Sequence, residues 1–96
     1  MIEVRQTLTF KKWMKDLQDQ RAVERIAQRI VRLESGLFGD VKPVGSGVSE
    51  LRIDHGPGYR VYFTKQNNSV IVLLCAGDKG SQKRDIKSAI AMAEDL

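Results

Sequence analysis

Apolar and polar residues alternate most regularly between residues 50 and 64. Leu51 and Ile53 point to one side of a predicted strand, and Val61 and Phe63 share one side of a second strand. A Gly-Pro-Gly sequence lies between the two runs and is typical of a turn. The pattern therefore predicts a β-hairpin, which is the strongest structural signal in the chain.

The alternation also constrains the register of this hairpin, because apolar side chains of both strands must lie on the same face. Arg52 must then lie opposite either Arg60 or Tyr62, with the other residue on the diagonal. Like charges at this range are unfavourable without compensation, which Glu50 and Asp54 can supply. Two interpretations stay open: a solvated face of mixed charge, or an anion site where paired guanidinium groups bind a phosphate.

Helical periodicity follows a short predicted strand at residues 1–6. A first helix is capped by Thr7 or Thr9, and a second begins after Asp19 and ends at Gly36. Together they form a helical hairpin that needs a sheet to cover its apolar stripe. The apolar stripes consist of Phe10, Trp13, Met14 and Leu17 in the first helix and of Ala22, Val23, Ile26, Ala27, Ile30 and Leu33 in the second.

The second half of the chain contributes a loop, one more strand and one more helix. Residues 39–48 hold three glycines and a proline with little periodicity, so we predict a loop. After a turn at residues 67–68, the continuous apolar run at residues 70–76 predicts a central strand covered on both faces. Residues 77–80 break this strand, and Ser81 is predicted to cap a last helix.

The predicted order is β-α-α-β-β-β-α, an α+β domain with a mostly antiparallel four-stranded sheet. The helical hairpin should cover one face of this sheet. The opposite face is expected to stay open around Arg52 and Arg60, fringed by the last helix. Trp13 could stack on a base, but its helical spacing favours a place in the core. The predicted core consists of Trp13, Ile26, Ile30, Leu51, Val61, Phe63 and Val72.

Composition narrows the class of protein. Ninety-six residues predict one small domain over residues 1–96. No membrane span or signal peptide is visible, and Cys75 has no disulfide partner, so we expect a cytoplasmic protein. With one cysteine and one histidine, we expect no zinc site of the usual kind and no cofactor. The net charge of +4 favours an acidic partner, either nucleic acid or an acidic protein segment.

Three segments and the order of elements resemble the RelE/ParE toxin superfamily. The segments are Glu-Leu-Arg-Ile at residues 50–53, Gly-Tyr-Arg-Val-Tyr-Phe at 58–63, and Gly-Asp-Lys at 77–79 with residues 82–86 behind it. The resemblance covers nearly the whole chain and is greatest to the HigB-like branch of addiction-module killer proteins. It implies a bacterial or phage-borne toxin that is neutralised by a co-expressed antitoxin, expected to be a helix-turn-helix protein.

The resemblance leaves two activities open. Many members are ribosome-dependent endoribonucleases that cut mRNA, whereas ParE-like members poison DNA gyrase and are not nucleases. For a nuclease, Arg60 matches the arginine that contacts the scissile phosphate, and Arg52 matches a basic position on the preceding strand. Lys79 lies where the family often places another basic residue. Attack by the neighbouring 2′-hydroxyl builds charge that such cations stabilise without a required metal.

The resemblance constrains the proton-transfer residue and the RNA-binding surface less than it constrains the cations that would bind the phosphate. Several family nucleases carry a histidine or tyrosine near the C-terminus, but no such residue follows Phe63 here. His55 and Tyr62 are the remaining candidates; each could equally be structural. One face of the second helix is basic. Two interpretations stay open for it: contact with a phosphate backbone, or an ordinary solvent-exposed surface. The RNA-binding candidates are Arg25, Arg29, Arg32, Lys83 and Arg84.

Overall fold

A five-stranded sheet with strand order β1-β5-β4-β3-β2 is the centre of the fold. The computed structural model describes residues 1–96. The strands are β1 (Glu3–Gln6), β2 (Val41–Gly45), β3 (Val48–Ile53), β4 (Tyr59–Asn67) and β5 (Val70–Gly77). The helices are α1 (Leu8–Asp16), α2 (Gln20–Glu34) and α3 (Gln82–Glu94), the last preceded by a short 3₁₀ turn at Lys79–Ser81. Strand β1 runs parallel to β5, and the other neighbouring pairs are antiparallel.

The predicted α+β class is confirmed, but the predicted count of four strands is wrong. Strand β2 lies within residues 39–48, which were expected to form a loop, and it pairs antiparallel with β3. Its alternation is obscured by glycine and by Pro43. Pro43 is compatible with β2 because β2 is an edge strand, where a missing N–H costs little. The turn into β3 is tight enough to place Ser46 at a φ of 52°.

Side-chain caps set the starts of the first two helices, as predicted. The hydroxyl of Thr7, rather than that of Thr9, accepts a hydrogen bond from the N–H of Phe10 at 3.1 Å. The carboxylate of Asp19 accepts one from the N–H of Ala22 at 3.1 Å. Ser81 is the N-cap residue of α3, as predicted, but its hydroxyl makes no capping hydrogen bond and donates to the carboxylate of Asp85 instead.

The two faces of the sheet carry separate apolar cores. The face covered by α1 and α2 holds Phe10, Ile26, Leu33, Leu51, Val61, Phe63 and Leu73, with Trp13 and Ile30 partly buried at its edge. The face covered by α3 holds Val48, Tyr62, Val72, Leu74, Cys75 and Ala89. Strand β5 is therefore covered on both faces, as predicted. The expectation of an open second face is wrong, and Val72 packs on that face because it alternates with Ile71 and Leu73.

Cys75 behaves as a buried apolar residue beneath α3. Burial, together with the nearby charge of Asp85, raises the pKa of its thiol to about 11. Since the thiolate is the reactive form, this thiol is inert at neutral pH. None of the three helices combines the length and the apolar character needed to cross a lipid bilayer.

Replacing Phe63 by alanine should destabilise the fold strongly. The side chain is 2% exposed and packs in the core beneath the helical hairpin. We expect Phe63→Ala to lower the free energy of unfolding by about 3–5 kcal/mol. Urea unfolding followed by circular dichroism measures this loss, with Lys11→Ala on the exposed side of α1 as the control. A loss similar to that of the control would contradict this packing.

Candidate functional site

The candidate site lies on the α3 face of the sheet, where cations from neighbouring strands meet. The β3–β4 ladder places Arg52 directly opposite Arg60, which decides between the two predicted registers. On the other side of Arg60, the ladder partner in β5 is Gly77. A Cβ atom at Gly77 would overlap the carboxylate of Asp85, so glycine lets the first turn of α3 approach the sheet beside Arg60.

A buried carboxylate organises this cluster. The side chain of Glu50 is fully buried and accepts hydrogen bonds from Arg52 Nε at 3.0 Å, Tyr62 OH at 3.0 Å and Gln82 Nε2 at 2.8 Å. The Nε atom of Arg60 lies 3.4 Å from the same carboxylate. The donors come from β3, β4 and α3, so one carboxylate ties all three elements together.

Glu50 stays negatively charged despite its burial. Burial by itself raises the pKa of this carboxyl group. The hydrogen bonds from Arg52, Gln82 and Tyr62 and the charge of Arg60 outweigh that effect and hold the pKa below its usual value. Two guanidinium groups thus share one carboxylate, and the cluster keeps one uncompensated positive charge.

The two arginines differ in access to solvent. The side chain of Arg60 is 13% exposed, and its Nη1 donates to the carbonyl of Gly58 at 3.0 Å. Its buried Nε has no hydrogen-bond partner. The side chain of Arg52 is 34% exposed and uses only Nε in the bond to Glu50. Arg52 is therefore the more accessible of the two arginines, and its terminal nitrogens make no hydrogen bond within the protein.

The backbone and Cβ of Lys79 lie close to the β3–β4 turn beside Arg60, whereas the ring of His55 is held elsewhere. The N–H of Lys79 donates to the carbonyl of Pro57 at 3.4 Å, and a Cβ at Gly58 would lie 3.6 Å from the Cβ of Lys79. The same Cβ position at Gly58 would lie 3.4 Å from Nη1 of Arg60, so Gly58 lies between Lys79 and Arg60. The ring of His55 instead pairs through Nε2 with the carboxylate of Asp19 at 3.0 Å, at the start of α2.

The pairing with His55 contributes to a low pKa at Asp19. The main cause is the hydrogen bond from the N–H of Ala22, which lowers the pKa of Asp19 and outweighs partial desolvation. The hydrogen bond and charge of His55 act in the same direction. This histidine thus helps to hold the β3–β4 turn against the beginning of α2.

Tyr62 is placed beside the cationic pair but is sealed from solvent. Its side chain is fully buried, and its hydroxyl donates to Glu50. Burial, followed by the hydrogen bond and charge of Glu50, raises the pKa of this phenol far above its usual value. It therefore acts as a neutral hydrogen-bond donor in the folded protein.

The five predicted RNA-binding residues fall on two sides of the molecule. Arg25 and Arg32 are exposed on α2, whereas Lys83 and Arg84 are exposed on α3, which covers the opposite face of the sheet. Arg29 is engaged internally: its guanidinium donates to the carbonyls of Arg52, Phe38 and Asp40, at 2.5, 3.1 and 3.3 Å. Burial lowers the pKa of Arg29, and its contacts hold the segment before β2 against β3.

Sequence reasoning missed Gln82 and Gly77 as parts of the site. Gln82 carries no charge, and the one sequence signal for it was its position at the start of α3. Gly77 was interpreted as the end of a strand, although it is the close-approach position for α3. Among histidine, cysteine and acidic residues, no group of three or more is arranged to hold a metal ion.

Sequence comparison supplies the family. Residues 12–96 match the family described as "Phage derived protein Gp49-like (DUF891)". The chain belongs to this Gp49-like family. The family is toxin-like and related to the RelE/HigB toxins, so the toxin–antitoxin character implied by the resemblance is confirmed at that level, including an antitoxin as partner. The HigB-like branch itself stays a prediction.

A relative of this Gp49-like chain occurs in Haemophilus influenzae strain Rd. It is 50% identical over 95 residues, which cover 99% of this chain and 96% of the relative. Its printed name, "Uncharacterized protein", assigns it no activity. The two chains therefore match over nearly their full lengths, and the activity has to be argued from the site.

Removing the Glu50 carboxylate should destabilise the protein and change its response to acid. Glu50→Ala leaves Arg60 buried without a counter-charge, and we expect a loss of about 3–5 kcal/mol in the free energy of unfolding. The pKa of Glu50 is lowered by folding, so its contribution is present above about pH 4.5 and is lost as the pH falls through the folded-state pKa. Urea unfolding at several pH values measures both effects.

Glu50→Gln and Tyr62→Phe separate charge from hydrogen bonding in this test. Glu50→Gln keeps the shape but cannot titrate, so its stability should fall less steeply than that of the parent below pH 4.5. Tyr62→Phe removes one hydrogen bond and should cost about 1 kcal/mol. An identical acid response in the parent and in Glu50→Gln would show that Glu50 does not carry the lowered pKa.

Proposed function

We propose that this Gp49-like chain is the toxin of a type II toxin–antitoxin module and that it cuts mRNA on the ribosome. The observation that carries the proposal is the pairing of Arg52 with Arg60 beside Lys79 at one end of the sheet. The guanidinium groups of Arg52 and Arg60 share this end of the sheet with the exposed Lys79 close by, and the chemistry of these cations suits a phosphodiester. The protein would act in the cytoplasm, where translation takes place.

The proposed reaction is attack by the RNA 2′-hydroxyl on the adjacent phosphorus. The new bond joins the 2′-oxygen to phosphorus, and the bond from phosphorus to the 5′-oxygen breaks. Water takes up the proton of the 2′-hydroxyl, and water protonates the departing 5′-oxygen. Negative charge builds on the phosphoryl oxygens, where the terminal nitrogens of Arg52 and the ammonium group of Lys79 would stabilise it. Arg60, held by Gly58 and Glu50, would add a more buried positive charge that stabilises the same phosphoryl oxygens.

The proposal assigns proton transfer to water and not to a side chain of this site. Tyr62 is buried as a neutral donor, and His55 is paired with Asp19 in the turn. The proposal therefore relies on preorganised positive charge and on positioning of the RNA by the ribosome. Neither contribution requires a side chain that exchanges protons with solvent.

A second candidate function is that of a non-enzymatic toxin that binds DNA gyrase. The burial of Arg60 and its pairing with Glu50 favour this alternative, because they reduce the charge available to a phosphate. Arg52, Lys79, Lys83 and Arg84 would then contact protein rather than RNA. In both cases we propose a helix-turn-helix antitoxin whose acidic segment covers these exposed cations.

Arg52→Ala should abolish cleavage and should also cost some stability, because it removes a hydrogen bond to the buried Glu50 while Arg60, Tyr62 and Gln82 remain as its partners. The side chain is partly exposed, and loss of one transition-state contact typically lowers a rate by about 10²–10³. Arg52→Lys should rescue poorly, because an ammonium group keeps the charge and loses the planar fork. Primer extension on mRNA from a translating extract measures cleavage, with Lys15→Ala on α1 as a charge-matched control. Wild-type cleavage by folded Arg52→Ala would refute the site.

Arg60→Ala should lose both cleavage and stability. Its guanidinium is one of the groups that compensate the buried Glu50, so its removal should weaken the fold as well as the site. We expect a melting temperature several degrees lower together with loss of cleavage. Thermal melts beside primer extension separate the two effects. If the parent protein never cuts mRNA but inhibits DNA supercoiling by gyrase, the second candidate replaces the first.

A further inference from the structure

A groove of about 430 Å³ lies at the end of β5, between α1 and the segment that begins α3. Trp13 and Tyr59 form its aromatic side, and Gly77 lies at its base. Ser81, Arg84 and Asp85 form its polar side. The groove adjoins the Glu50 cluster at Gly77, the ladder partner of Arg60, but its aromatic side is distinct from the cluster because Tyr59 and Arg60 point to opposite faces of β4.

The aromatic side is a corner between two rings. The ring centroids of Trp13 and Tyr59 are 5.9 Å apart, and the rings meet at 73°. The other side of the indole stacks on Phe10, with centroids 6.3 Å apart and an angle of 29°. Trp13 is only half-buried although its helical spacing predicts a core residue. The indole thus belongs to the core on one side and to the groove on the other.

The polar side of the groove suits a neutral ligand better than an anion. Asp78 and Asp85 line the groove together with a single cation, Arg84, whose Nε lies 3.7 Å from the carboxylate of Asp85. Asp85 is nearly buried and accepts a hydrogen bond from the hydroxyl of Ser81. A free phosphate would meet more negative than positive charge here. A flat group with apolar faces and N–H donors on its edge matches both sides of the groove.

We propose that this groove binds one nucleobase of a single-stranded RNA. The base would stack in the corner of Trp13 and Tyr59 and donate hydrogen bonds toward Asp85. Its phosphates would lie outside, near the exposed Lys79, which is next to Asp78 in the chain and approaches Arg60 across Gly58. This inference rests on the proposed RNA substrate, and it adds a base-binding subsite to the cationic cluster.

Trp13 is the single tryptophan of the chain, so its fluorescence reports directly on the groove. The purified protein would be titrated with a short single-stranded RNA and with an abasic oligonucleotide of equal length and charge. We expect the RNA to quench Trp13 and the abasic strand to leave it unchanged, because stacking needs the base. Equal quenching by both strands, or no quenching by RNA at millimolar concentration, would overturn the proposal.

Substitutions in the groove should weaken RNA binding without changing the fold. Tyr59→Leu keeps Trp13 as the probe and removes one stacking surface, and we expect about tenfold weaker binding or more. Phe38→Leu is the matched control, because Phe38 packs on Phe63 outside the groove. Thermal melts would verify that both variants are folded. Equal affinity of folded Tyr59→Leu and Phe38→Leu for RNA would contradict the assigned groove.

The binding assay is independent of catalysis. If RNA quenches Trp13 but the parent protein does not cut mRNA, the nuclease proposal fails and the base subsite stands. If mRNA is cut but neither RNA nor mononucleotides quench Trp13, the subsite fails and the cationic site stands. Quenching by an acidic antitoxin segment and not by RNA would show that the groove belongs to the protein partner.

Discussion

The fold depends on keeping one charged carboxylate inside the protein. Glu50 has no access to solvent, and a buried charge is tolerated only when it is paired and hydrogen-bonded. Its donors are Arg52 on β3, Arg60 and Tyr62 on β4, and Gln82 on α3. Satisfying this single group therefore fixes how two central strands and the last helix lie against each other.

The same carboxylate shapes what the site can do. It removes part of the positive charge of the arginine pair, and it also holds both guanidinium groups in one orientation. Preorganised cations stabilise developing charge without a reorganisation cost. Fewer such cations are therefore needed than when the cationic side chains are mobile. A nuclease built this way would depend on Arg52 as its accessible member and on Arg60 as its support.

One glycine allows α3 to pack closely against this face of the sheet. Because Gly77 has no side chain, Ser81 and Asp85 lie directly against β5, and the chain before α3 turns sharply at Asp78. The aromatic corner of Trp13 and Tyr59 lies on the other side of this turn. At the end of β5, a cationic cluster thus lies beside a groove in which carboxylates outnumber cations. A substrate with charged phosphates and neutral bases matches this division.

Local sequence determined much of this architecture. Parity along β3 and β4 restricted Arg52 to two partners, since a one-residue slip would expose the apolar faces. Thr7 and Asp19 set helix starts through hydrogen bonds that span only three residues. The α+β class followed from the order of the predicted elements, and the buried strand β5 followed from its continuous apolar run. Strand β2 was missed because glycines and Pro43 interrupt its alternation, and its pairing depends on the neighbouring strand.

Tertiary structure alone decided which charges are buried and which are free. The amide of Gln82 meets Glu50 across 32 residues, and the guanidinium of Arg29 meets the carbonyl of Arg52 across 23. No local pattern encodes such contacts, because they exist only once α2 and α3 have packed on opposite faces of the sheet. The sequence by itself identified the cationic pair, and the packing of α3 determined that Arg60 is sheltered and Arg52 is accessible.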